Sequence, residues 1–324
     1  MRFTICAALA AVMLGLWSAP APAATQDFKT WLGELRTEAA QRGVSQETIA
    51  RALPDTLAPI PRILELDRKQ PEGTVSFDEY LKKAVNPDRI QKGRSKMAYF
   101  RKTLQRVEEA YGVDKQVIVA LWGIETSYGT NTGGFDVVTA LATLAYDGRR
   151  SDYFRDELFK ALRILDEEHI SHSKMKGSWA GAMGQSQFMP SSFLKFAVDF
   201  NKDGKRDIWT TEADVFASAA NYLSQSGWKK GAVWGRQVNI PHSLDRSLLG
   251  VNTTQTIQQW HDKGIRLANG KPVPFEGEYM ASVVQPSGSG TTAFLVYENY
   301  RVLLKWNKSS YFASAVSTLA ERVK

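Results

Sequence analysis

The chain has a single cysteine among its 324 residues. A disulfide framework needs many cysteines and a thiolate zinc site at least two, so both are excluded. Past the first residues, no apolar run approaches the ~20 residues needed to cross a bilayer. Internal repeats, low-complexity tracts and a G-x-x-x-x-G-K-[ST] phosphate loop are all lacking. The net charge is +7, but no dense run of Lys and Arg and no nucleic-acid motif accompanies it, so no nucleic-acid partner is expected. What is present suits a folded protein. Hydrophobic residues make up 43% and aromatics 11%, too apolar for disorder. The length allows two or so compact units at ~100–200 residues each.

The first residues read MRFTICAALAAVMLGLWSAPAPAATQ. Arg2 is the only charge before Asp27, the run from Ile5 to Trp17 is almost wholly apolar, and small residues follow. This is the order of a secretory signal peptide, predicted over residues 1–24 with cleavage after Ala23 or Ala24. The alternative is a membrane anchor, for which the run is short. Cys6 lies inside the run and no cysteine stands at the cleavage point, so no lipid anchor is expected. The reading is a soluble, monomeric periplasmic protein that loses Cys6 and Arg2 with its leader.

Helical spacing follows. Phe28, Trp31, Leu32 and Leu35 predict a helix over 27–53, which prolines at 54, 59, 61 and 71 end. A second helical region spans 76–111 with a break near Asn86-Pro87, and further helices are expected over 113–124, 153–169, 191–198 and 214–226. After Gly227 the character changes, with short strands over 233–240, 280–286 and 291–297. Phe312, Val316, Leu319 and Val323 then return at helical spacing. The fold class is mainly α (α+β). Its expected parts are a helical N-terminal segment (25–75), a core (76–230), a small β-rich insert (231–300) and a C-terminal helix returning to the core (301–324).

One carboxylate stands out. In GVDKQVIVALWGIETSYG, Ile118, Leu121, Trp122 and Glu125 fall at i, i+3, i+4 and i+7, so Glu125 points where the apolar side chains point. Burial disfavours the charged form and raises a carboxyl pKa, as a general acid near neutral pH requires. Gly123 and Gly129 bracket it, leaving room for a ligand near the backbone. The plainer alternative is a helix-end glutamate paired with an arginine or turned to solvent. A second segment, GSWAGAMGQSQFMPSSF over 177–193, sets glycines among neutral hydrogen-bonding groups and apolar surface. It suits a groove for a sugar polymer, or is simply a structural glycine-rich turn.

Together, IETSYG around Glu125, GSWAGAMGQSQFMPSS around Gln187 and YENYRVLLKWNKSSYF near the C-terminus resemble the membrane-bound lytic transglycosylase B family. The resemblance covers essentially the whole chain after the leader and implies a lysozyme-like core. It implies cleavage of the MurNAc–GlcNAc β-1,4 bond of peptidoglycan without water, giving 1,6-anhydromuramoyl ends. Glu125 would act as acid and then base, with no catalytic cofactor. Matching positions are Tyr80 near the reacting sugar, the groove residues Ser178, Gln187, Phe188 and Tyr222, and Asn307 facing the catalytic side. Arg149 and Arg150 resemble a pair suited to substrate carboxylates. Where the family often has tyrosines this chain has Trp306 and Phe312, keeping stacking surface without the hydroxyls. Peptidoglycan strands are the expected partner, together with other cell-wall enzymes. The competing readings are a hydrolytic muramidase and a non-catalytic peptidoglycan-binding protein.

The stretch DFNKDGKRD places oxygen-bearing side chains at Asp199, Asn201, Asp203 and Asp207, with Gly204 sixth, like the start of an EF-hand loop. Lys205 would lend its carbonyl. Thr210 stands where a bidentate glutamate belongs, and the family resemblance makes Asp214 the closing ligand. The expectation is a structural Ca2+ or Na+; the alternative is a metal-free turn.

Overall fold

The computed structural model describes residues 27–69, 75–274, 279–288 and 292–324. The expected signal peptide lies outside them.

The helices begin where short polar side chains cap them. Asp27, Ser45, Ser76, Asn86, Asp136 and Ser309 each accept the backbone N–H three residues on. They start α1 (Phe28–Gln41), α2 (Gln46–Ala52), α4 (Phe77–Ala84), α5 (Pro87–Tyr99), α8 (Val137–Tyr146) and α14 (Ser310–Arg322). The others are α3 (Pro61–Arg68), α6 (Arg101–Tyr111), α7 (Lys115–Thr126), α9 (Ser151–Asp166), α10 (Pro190–Phe196), α11 (Glu212–Gln225), α12 (Ile257–Asp262) and α13 (Glu298–Trp306).

Two expectations about helices are corrected. The helix expected over 27–53 is two, because Gly43 turns the chain at φ +88° and Ser45 caps a new start. The segment from Asn307 to Ser309 likewise divides the C-terminal region into α13 and α14. Helix α8 has no counterpart in the sequence reading. Eight of its residues are buried, so VVTALATLAY shows no polar face and no period to detect.

Strands β1 (Phe135–Asp136) and β2 (Lys176–Gly177) form a two-stranded antiparallel pair. The other strands are β3 (Gly235–Asn239), β4 (Gln255–Thr256), β5 (Arg266–Leu267), β6 (Met280–Val284) and β7 (Ala293–Val296). They make one antiparallel sheet in the order β4-β6-β7-β3-β5.

Three cores result. Leu35 of α1, Ile63 of α3, Leu141 of α8 and Leu158 of α9 share the first with Met183 and Phe188 of the glycine-rich segment. The second joins Ile118 and Leu121 of α7 to Phe216 of α11, Tyr300 of α13 and Val316 of α14. The third lies on the sheet, around Trp260, Ile265, Val283 and Leu295. Tyr222 and Trp306 pack against both the first and the second core. No helix among the described residues is long and apolar enough to cross a membrane.

Candidate active site

Helix α7 ends in a run of left-handed residues, with φ +51° at Ser127, +64° at Tyr128 and +80° at Gly129. Glu125 sits in its last turn, beside a small cavity walled by Ile118, Leu121, Trp122, Phe216 and Ala219. Among the described residues it is the only carboxylate lining that cavity. The Trp306 indole Nε1–H donates to Glu125 Oε1 at 2.7 Å. Burial pushes the Glu125 carboxyl up to about 7, against the lowering effect of the Trp306 hydrogen bond. Burial thus keeps the neutral, protonated form accessible much nearer neutral pH than for a free carboxyl.

The two glycines near Glu125 serve the protein rather than a ligand, which corrects the sequence expectation. A Cβ on Gly123 would lie 2.7 Å from the Tyr128 ring, and one on Gly129 would lie 2.2 Å from Gln185 Oε1. Their missing side chains let Tyr128 and Gln185 brace the end of α7.

Gln185 is nearly buried and joins the glycine-rich segment to α7. Its Oε1 accepts from Trp122 Nε1 at 2.8 Å, and its Nε2 donates to the Trp209 carbonyl at 2.9 Å. The Thr126 hydroxyl donates to the Gln185 carbonyl at 3.1 Å. The adjacent segment folds back on itself through paired backbone bonds between Met183 and Phe188, at 2.8 and 3.1 Å. Gln187, at φ +49°, donates Nε2 to the carbonyls of Thr132 and Gly184 at 3.0 and 2.9 Å. Ser178 Oγ accepts the Ala182 N–H at 3.1 Å. Both side chains keep capacity beyond these bonds, an amide oxygen on Gln187 and a hydroxyl proton on Ser178.

An aromatic cluster carries Trp306. Its ring lies 5.2 Å from Phe188 and 4.8 Å from Tyr222, centroid to centroid. Phe188 is buried beneath it. The Tyr222 hydroxyl is occupied, donating to the Lys305 carbonyl at 2.6 Å. Tyr80 of α4 is half-buried and stacks obliquely on Tyr311 at 5.4 Å. Burial, followed by the nearby Glu125 charge, holds its phenol above the ordinary range. Asn307 is exposed at the end of α13, where its Oδ1 accepts the Ser309 N–H at 3.0 Å.

The arginine pair has a different setting. Arg149 Nη2 and Arg150 Nη2 each lie 2.6 Å from a carboxylate oxygen of Asp67, a buried residue of α3. Asp67 offsets one of their two charges from within, and the three side chains clamp α3 to the start of α9. Sequence spacing could not reveal this, because Asp67 is some eighty residues away.

The acidic loop is held by hydrogen bonds to its own carboxylates. Asp199 accepts the backbone N–H groups of Asp203 and Gly204 at 3.1 and 2.8 Å, and Asn201 Nδ2 donates to Asp203 at 2.8 Å. Asp203 also accepts the Lys205 N–H at 2.9 Å. Asp214, the expected closing ligand, lies at the start of α11. It is fully buried and accepts from Phe200 and Asn201 on one oxygen and from Asp207 on the other. It clamps the loop from within. Among the described residues, no three Asp, Glu or His side chains converge as a metal cluster.

Two contributors escaped the sequence reading. The Trp306 N–H supplies a donor where the sequence suggested only lost hydroxyls. Arg89 of α5 donates to the Ala84 carbonyl at 2.5 Å and to Ser127 Oγ at 3.3 Å, tying α4 to the end of α7. Only the Trp306 position carried a signal, its place in the C-terminal motif.

The transglycosylase SLT domain family model matches residues 27–321. The chain is 34% identical over 251 residues to the membrane-bound lytic murein transglycosylase B of Escherichia coli (strain K12). That match spans 75% of this chain and 66% of the E. coli protein, just under two thirds of its length. SltB3 from Pseudomonas aeruginosa, in complex with NAG-anhNAM-pentapeptide, is similar with TM-score 0.87 and 41% identity, covering 91% of this chain and 79% of that one. The Escherichia coli lytic transglycosylase Slt35, in complex with calcium, is similar with TM-score 0.78 and 29% identity, covering 90% of this chain and 92% of that one. The mainly α, lysozyme-like fold expected from sequence is the one these structures share.

Proposed function

The chain belongs to the transglycosylase SLT domain family, and from that membership we propose that it is a lytic murein transglycosylase acting through Glu125. One observation carries the reading: a single carboxyl, raised by burial to about 7 and met by the Trp306 N–H, lines a small cavity of the second core beside the glycine-rich segment. Protonated Glu125 gives its proton to the glycosidic oxygen as the C1–O bond breaks. The resulting carboxylate, held by the Trp306 N–H, takes the proton of the muramoyl C6 hydroxyl as that oxygen bonds to C1. The 1,6-anhydro ring closes, Glu125 regains its proton, and no water is consumed. Two carboxylates are needed when water or the enzyme supplies the nucleophile. An internal nucleophile removes that need.

Peptidoglycan strands are the proposed substrate, and the periplasm the proposed site of action. Ser178 and Gln187 have unused hydrogen-bonding capacity to offer a sugar, and Tyr80, Tyr222 and Asn307 would flank the bound strand. For the acidic loop we propose a structural cation with no role in bond cleavage. Asp199, Asn201, Asp203 and the Lys205 carbonyl would hold it, and Asp214 would fix the loop backbone beneath.

The test is product mass on purified murein. Muropeptides should be lighter by one water than hydrolytic products, and Glu125→Gln should abolish them. Water-added products would make the protein a muramidase. Undiminished release by Glu125→Gln would sink the mechanism.

A further inference from the structure

Arg89 stands in the first turn of α5, and its backbone is fixed on both sides. Its N–H donates to Asn86 Oδ1 at 2.8 Å, and its carbonyl accepts the Tyr128 hydroxyl at 2.7 Å. Its side chain reaches two further elements. Nη1 donates to the carbonyls of Lys83 and Ala84, at the end of α4, at 3.3 and 2.5 Å. Nη2 donates to Ser127 Oγ, just past α7, at 3.3 Å. These partners are uncharged, whereas Arg36, Arg155 and Arg206 meet carboxylates. A guanidinium turned to two carbonyls and a hydroxyl neutralises no charge. What it supplies is a rigid, planar fork.

The two arms of that fork end on the elements that carry Tyr80 and Glu125. Tyr80 lies one helical turn before Lys83 and Ala84 on α4, and Glu125 lies two residues before Ser127. Ser127 and Tyr128 are successive left-handed residues, at φ +51° and +64°. That conformation is costly for residues with a side chain and persists only where the surroundings impose it. Both residues hold Arg89, Ser127 by accepting from the guanidinium and Tyr128 by donating to the carbonyl. The tight turn that ends α7 is thereby pinned to α5, and α5 to α4. Electrostatics agrees with the geometry. The Tyr80 phenol is raised first by burial and then by the Glu125 charge, and the Arg89 charge opposes both.

We propose that Arg89 is a positioning residue for the reaction, a strap that sets Tyr80 against Glu125 by holding the end of α4 to the turn after α7. The inference rests on the transglycosylase reading and adds a residue that acts through Tyr80. Lysine at this position keeps the charge and reaches the α4 carbonyls, but its single ammonium lacks the second arm of the fork. The fold therefore survives Arg89→Lys, while the register between α4 and α7 loosens.

The experiment measures kcat and KM on purified murein for Arg89→Lys, alone and combined with Tyr80→Phe. Arg89→Lys should lower kcat about tenfold, with KM within about twofold and the melting temperature within about three degrees of wild type. Tyr80→Phe removes the hydroxyl that the strap places. In that background Arg89→Lys should lower kcat by less than about threefold, because coupled residues are not additive. Wild-type kcat in Arg89→Lys would overturn the strap. So would the same fold loss in both backgrounds, which is what a merely structural role gives. Ser127→Ala removes the α7 arm alone. It should show the same loss and the same dependence on Tyr80, so the question is decided even if Arg89→Lys folds poorly. Failure of the transglycosylase reading would show in wild type, as water-added products or none. Failure of the strap would show only in the variants.

Discussion

At Glu125 a carboxyl is raised by burial and steadied by one indole N–H. Hydrogen bonds to charged groups are worth about 1.5–3 kcal/mol. Trp306→Phe keeps a ring against Phe188 and Tyr222 but removes the donor. It should lower kcat about tenfold or more and move the pH profile upward, because the contact that favours the carboxylate is gone. An unchanged pH profile would show that the hydrogen bond does not tune the acid. Stability carries the same signature. Glu125 binds its proton more tightly when folded than at its ordinary 4.5. Its stabilising contribution is therefore complete below pH 4.5 and is lost as the pH rises to about 7. The melting temperature of Glu125→Gln relative to wild type should climb across that window and then level off. The gain is at most about 3 kcal/mol. A difference that stays flat from pH 4 to 8 would contradict the buried, raised carboxyl.

Among the elements, the glycine-rich segment and the acidic loop differ in what the sequence disclosed. From composition the first could be a groove or a structural turn, and its anchor was not legible. Gln185 looked like one of several neutral groups, and only the fold sets it between Trp122 and the Trp209 carbonyl. The acidic loop was legible as far as the spacing of Asp199, Asn201 and Asp203. The role of Asp214 depended on which backbone N–H groups the returning helix would meet. With Asp214 as an internal clamp, millimolar calcium should raise the melting temperature by a few degrees, and Asp203→Ala should remove the rise. Wild-type melting that ignores calcium would mean the loop stands as a metal-free turn. Helix α8 marks another limit: an element buried on all sides has no amphipathic period.

Across the whole molecule, the arginine pair is where stability and catalysis can be told apart by experiment. Asp67→Ala leaves Arg149 and Arg150 without their buried partner, though both can hydrate because their side chains are 55% and 48% exposed. Denaturant melts should show a loss of about 2 kcal/mol, below the ~3–5 expected when a fully buried partner is stranded. Turnover at saturating murein should change less than twofold. A large loss of kcat without loss of stability would return the pair to the substrate.

The sequence by itself determined the chemistry available: one carboxylate among apolar residues on a helix, a glycine-rich segment, and short strands before the last helices. These are local properties, set by period, caps and turn residues within a few positions of one another. The tertiary structure decided what each group meets. Trp306 reaches Glu125 from 181 residues away, Asp67 takes the arginine pair, and the strands pair as β4-β6-β7-β3-β5. Such partnerships depend on how separate apolar faces close over shared cores. No spacing along the chain encodes that directly, because the contacting side chains lie on elements joined only by packing.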